Sequence, residues 1–188
     1  MNSTLVRYEK LKEKVIDRKA SFNNLMNYIE NETEWLKAPA STKFHLSKEQ
    51  GLLEHSCNVA ETMLKIKDSI APEISDESCV IMALLYDLGK VGKPGSPQYL
   101  KIEGKYPYSF NTDLVYLSVP IRSIYLALPY IELSEEEVQA IVCHDGQYVD
   151  DNASVARNEE PLTLLLQYVD NWSGYVIEKN LQKLSAIS

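Results

Sequence analysis

The stretch Ala83-Leu-Leu-Tyr-Asp-Leu-Gly-Lys90 decides how this chain is read. Val80, Leu84, Asp87 and Leu88 share one face of a helix, so a carboxylate falls on a stripe otherwise fit for the core. Ser75 or Asp76 caps that helix, and Gly89 and Gly92 stop it. The same signature recurs elsewhere. The three histidines, His45, His55 and His144, all break apolar helical patterns, and Asp170 breaks Pro161-Leu-Thr-Leu-Leu-Leu-Gln-Tyr-Val-Asp170. Imidazoles and carboxylates are costly to bury unless paired or bound to metal. Several of them on separate core-facing stripes point to one shared polar centre inside a helical bundle.

Outward from this segment, the pattern is helical. Leu5, Tyr8, Leu11 and Val15 predict an amphipathic helix over 4–18, followed by a short helix over 21–36 and a loop at 38–43. Ser47 with Gln50 reads as a capping box opening a helix on which Leu52, His55, Val59, Met63 and Ile66 form one stripe; Pro72 ends it. Residues 93–112 are an irregular excursion with a short β-hairpin around 98–109. A helix spans 114–129, with Pro120 marking a break or a start. Ser134 with Glu137 is a second capping box for a helix running to His144, closed by Gly146. Residues 147–159 form a polar loop, and Pro161 suits the first turn of the final helix. The expected fold is all-α with one hairpin: a helical segment at 1–40 packs on a helical domain at 41–188. No glycine-rich loop follows a strand, which excludes a doubly wound sheet.

The chain has 188 residues, long enough to bury a substantial core. Its net charge of −8 repels phosphodiester polymers, so a nucleic-acid partner is not expected, while a small phosphate ligand in a locally basic cleft is allowed. Cys57, Cys79 and Cys143 are odd in number with no C-x-x-C pairing, which argues for reduced thiols in a cytoplasmic chain. No apolar run has the length of a signal peptide or a membrane span. The amphipathic 4–18 stretch is a candidate surface for homo-oligomerisation.

His55, Asp87, His144 and Asp170 come from four different helices. Nitrogen and oxygen donors converging from facing helices are what a metal centre in a bundle requires. Imidazole and carboxylate without thiolate fit Mn, Fe, Co, Ni or Zn better than Mg.

In this order the pieces Gly51-Leu-Leu-Glu-His-Ser56, Ala83-Leu-Leu-Tyr-Asp-Leu-Gly-Lys90, Ala140-Ile-Val-Cys-His-Asp-Gly146 and Leu164-Leu-Leu-Gln-Tyr-Val-Asp170 resemble the HD-domain phosphohydrolase superfamily, named for an adjacent His-Asp pair. The resemblance runs from about Phe44 to Gly174. It implies an HD-domain helical bundle, one divalent ion held by His55, Asp87 and Asp170, and hydrolysis of a phosphomonoester or phosphodiester, most often in a nucleotide. Tyr86 stands where the family has the histidine of its pair. A phenol with pKa ~10 is a poor ligand until deprotonated, so ion affinity should fall. Leu117-Ser-Val-Pro-Ile-Arg-Ser123 carries no histidine, so a second ion is not expected.

Other residues take roles around that ion. Lys90, three positions after Asp87, can steady phosphoryl oxygens. His144 can protonate a leaving oxygen, and Asp145 can orient it. Arg122, Lys93 and His45 are further candidate contacts to substrate. Two functions follow: a metal-dependent phosphohydrolase acting on a nucleotide or other small phosphate ester, or a degenerate domain that binds a nucleotide or a partner without catalysis because Tyr86 replaces a ligand.

Overall fold

The computed structural model describes residues 3–179; residues 180–188, the end of the predicted second segment, lie outside that range. The chain is mainly helical, as the pattern predicts. Helix α1 (Ser3–Lys12) and α2 (Lys19–Glu32) precede a long α3 (Gly51–Ile70) and α4 (Asp76–Leu85). A two-stranded antiparallel hairpin, β1 (Tyr99–Lys101) and β2 (Tyr108–Phe110), then leads to α5 (Val119–Ala127), α6 (Glu135–Cys143) and α7 (Pro161–Trp172). Helix α3 runs through the middle, packed against α1, α4 and α7, while α6 packs on α7, α5 and α4. Tyr8, Leu11, Phe22 and Trp35 from the N-terminal part share one apolar cluster with Leu52, Met63, Ile81 and Leu166. No helix among the described residues is long and apolar enough to cross a membrane.

Caps behave as their sequence suggests in α4 and α6. Ser75 accepts from the Ser78 amide, and Ser134 with Glu137 forms a reciprocal capping box. Pro120 sits in the first turn of α5, where its missing N–H is harmless.

Elsewhere tertiary contacts override local signals. Helix α1 stops at Lys12 rather than 18, because the Ile16 and Asp17 amides donate to the buried Glu77 carboxylate at 2.7 and 2.8 Å instead of continuing the helix; Val15 is buried all the same. Helix α2 ends at Glu32, short of 36. The capping box expected at Ser47 and Gln50 does not form. Ser47 donates to the Thr42 carbonyl, Gln50 takes a left-handed conformation (φ 62°), and α3 begins at Gly51. A Cβ on Gly51 would lie 2.0 Å from the Leu46 carbonyl oxygen, so only glycine lets the loop close over the helix start.

Helix α4 ends at Leu85. Asp87 and Lys90 therefore lie not on the helix but around a tight 3-10 turn, Leu88–Val91. Helix α7 continues past Trp172 as a π-helical turn, Ser173–Glu178. These two irregular continuations both deliver side chains to the same place.

Candidate functional site

His55 projects from the second turn of α3 and is buried. Tyr86, the residue closing α4, and Asp170, near the end of α7, meet its Nε2 atom. The Tyr86 hydroxyl lies 2.6 Å from His55 Nε2 and donates to Asp170 Oδ1 at 2.9 Å, and His55 Nε2 lies 2.9 Å from that same oxygen. The opposite nitrogen of His55, Nδ1, is 2.7 Å from Glu178 Oε1. Glu178 is fully buried and also accepts from the Asn58 amide at 3.0 Å. Its other oxygen is 2.5 Å from Nδ1 of His45, on the loop before α3.

Proton bookkeeping gives this centre its charge. Both nitrogens of His55 face carboxylates, so both carry protons and the ring is an imidazolium. Burial alone would lower its pKa, but the hydrogen bonds and charges of Asp170 and Glu178 outweigh that and hold it up at about 10. Burial would likewise raise Asp170 and Glu178, yet the hydrogen bonds and charge of His55, joined by His45 at Glu178, hold both below the usual carboxylate range. Tyr86 is pushed the other way. Burial, then the charges of Asp170 and Asp87, lift its phenol well above the ordinary value, so it stays protonated and donates.

Asp87 stands one step aside. Its Oδ2 is 3.9 Å from His55 Nε2 and is paired with Lys90 Nζ at 2.5 Å; its Oδ1 is 3.7 Å from His144 Nε2. Burial would lower the Lys90 pKa, but the Asp87 charge dominates and raises it, so Lys90 is a firm cation. His144 donates from Nδ1 to the Ile141 carbonyl at 2.8 Å, which turns Nε2 toward Asp87 and toward Asp145 Oδ1, 3.7 Å away.

These groups line a cleft of about 600 Å³, within the ~300–1,000 Å³ range of small-molecule sites. His45, His55, Asp87, Lys90, His144, Asp145 and Asp170 all face it, and the exposed rings of Tyr148 and Tyr175 stand at its mouth. Arg122 does not face it: α5 buries the residue, and its guanidinium donates to the Val115 carbonyl at 2.5 Å. Arg122, expected as a contact to substrate, is not among the residues that line the cleft.

His55 Nε2, Tyr86 Oη and Asp170 Oδ1 form a triangle with sides of 2.6, 2.9 and 2.9 Å. These are hydrogen-bond separations. The Tyr86 hydroxyl gives its proton to Asp170, so it meets His55 and Asp170 as a neutral hydrogen-bonding group.

Sequence reasoning missed Glu178 and Asn58. Asn58 is one turn from His55 on α3, and Glu178 follows Asp170 by eight positions, a spacing that returns to one side of a continued helix. Both signals lay in the sequence, but the resemblance stopped at Gly174. Among the described residues, His45, His55 and Glu178 form a group whose ligand atoms all lie within 4.8 Å of one another, a spacing that could hold a metal ion. Compared with family models, curated proteins and solved structures, the chain matches none.

Proposed function

We propose that the cleft is the phosphate-ester pocket of an HD-type helical domain in which the Tyr86 phenol stands in the place of the catalytic ion. The chain then binds a small phosphate-bearing molecule, a nucleotide foremost, without turning it over at that position. The observation that carries this reading is the Tyr86 hydroxyl bonded at once to His55 and Asp170. The protonated His55 supplies positive charge where the ion's charge would fall, so the buried carboxylate of Asp170 stays compensated.

The rest of the cleft keeps the features of a phosphate site. Lys90 uses one of its three donors on Asp87 and can offer others to phosphoryl oxygens. The Tyr148 and Tyr175 rings give a planar base two faces to lie against. Equilibrium titration with nucleoside mono-, di- and cyclic phosphates tests the proposal. At least one should bind, Lys90→Ala should weaken it at least about tenfold, and the wild-type protein should release no inorganic phosphate. Failure of every compound to bind would end it.

A second reading, hydrolysis, is favoured by one observation: the Ile141 carbonyl fixes His144 so that Nε2 faces Asp87 beside the Lys90 cation. Asp87 could take a proton from attacking water while His144 protonates the leaving oxygen. Release of phosphate by the wild-type protein, lost in His144→Gln, would replace the first reading with this one.

A further inference from the structure

We propose that His45, Glu178 and the Nδ1 side of His55 form a seat for one divalent transition-metal ion, on the opposite nitrogen of His55 from Tyr86. Two imidazoles and one carboxylate without thiolate suit zinc, cobalt or iron(II) and disfavour magnesium or calcium. The inference does not rest on the phosphate reading.

The ligand atoms converge. Glu178 lies between the two rings with one oxygen on each Nδ1, at 2.5 and 2.7 Å. Those separations are hydrogen bonds. An ion entering replaces the shared protons, and the pairs widen to about 3 Å, the spacing of donors sharing one ion at ~2.0–2.2 Å. His45 can supply that movement. It sits on a loop, its side chain is 26 % exposed, and it faces the cleft, so water or a ligand can complete the coordination from that side.

Its supports are also those of a metal centre. A metal-bound histidine typically donates its other ring N–H to a carboxylate, which fixes the ring and raises its basicity. His55 already directs Nε2 at Asp170, with the Tyr86 hydroxyl beside it. Loss of only the Nδ1 proton leaves that side intact. The ligating carboxylate is held as well, by the Asn58 amide on Glu178 Oε1. The turn that aims Glu178 inward is π-helical, a local distortion frequent at functional sites. Tyr86 thus closes one side of His55 while orienting the ring for the other.

Cobalt(II) titration of the whole chain, freed of metal by chelator, tests this by ligand-field absorption and calorimetry. One ion should bind per chain. His45→Gln and Glu178→Gln should each raise Kd at least about tenfold, whereas Asp87→Asn should change it less than threefold. With zinc, the ring nitrogens of His45 and His55 should show Nδ1 metallated and His55 Nε2 still protonated by NMR. No saturable binding, or binding lost in Asp87→Asn and kept in His45→Gln, overturns the proposal. The partly exposed His45 arm decides it even where Glu178→Gln does not fold. Nucleotide binding is scored separately, so the two proposals can fail independently.

Discussion

At the residue scale, His55 is an imidazolium held between two acids, and stability should depend on pH accordingly. Its folded pKa of about 10 stands above the ~6.5 of an unfolded histidine. A raised value stabilises fully below the unfolded pKa, and that stability is lost as pH rises toward the folded one. Asp170 and Glu178 are depressed, so their contribution is present above the ordinary carboxylate range and lost as pH falls through it. In chelator, the unfolding free energy of the wild-type chain should therefore fall from about pH 6.5 to 10. His55→Gln should flatten that alkaline slope in urea titrations at several pH values. An unchanged slope would mean that His55 is not the imidazolium described. Much of this centre was legible beforehand, since His55, Asp87, His144 and Asp170 each break an apolar stripe. What Tyr86 does there was not. Sequence places a phenol next to Asp87, but only the fold shows its oxygen within hydrogen-bond distance of both His55 and Asp170.

At the element scale, backbone approach sets the cleft wall. A Cβ on Gly89 would lie 2.2 Å from the Val119 carbonyl oxygen, at the start of α5, and the Gly89 amide donates to the buried Ser123 hydroxyl at 2.8 Å. Gly89→Ala should push α5 from the 3-10 turn that carries Asp87 and Lys90, at a cost of about 2–4 kcal/mol. A thermal or urea melt measures the cost, and a change below about 0.5 kcal/mol would show that the contact yields freely. The sequence marks Gly89 as a helix stop, which is its lesser role; close packing partners are not visible in one chain segment. Helix ends followed the sequence where a side chain caps its own turn, as at Ser75 and Ser134. They departed from it where a distant group captured the amides, as Glu77 does at the end of α1.

At the scale of the whole molecule, one arginine ties three regions. Arg18, between α1 and α2, gives Nε to Glu77 at 2.8 Å and both terminal nitrogens to Glu137 at 2.7 Å, joining the N-terminal part to α4 and α6. Both carboxylates are buried, so removing the cation strands them. The ~3–5 kcal/mol typical of a broken buried pair is discounted here because Arg18 is 26 % exposed, leaving about 2–3 kcal/mol. Arg18→Ala should lower the unfolding free energy measured in urea by that amount, within a single transition, since Tyr8, Phe22 and Leu52 share one core cluster. Two separated transitions would show the N-terminal 40 residues folding as their own unit.

The most direct test of the account is metal stoichiometry in Tyr86→His and in Tyr86→His with Asp87→Asn, beside the wild-type chain. With the phenol gone from between His55 and Asp170, Tyr86→His should take up one more divalent ion than wild type, and Asp87→Asn should remove that added ion alone. Equal stoichiometry in Tyr86→His and wild type would contradict the claim that the Tyr86 hydroxyl fills the ion's place.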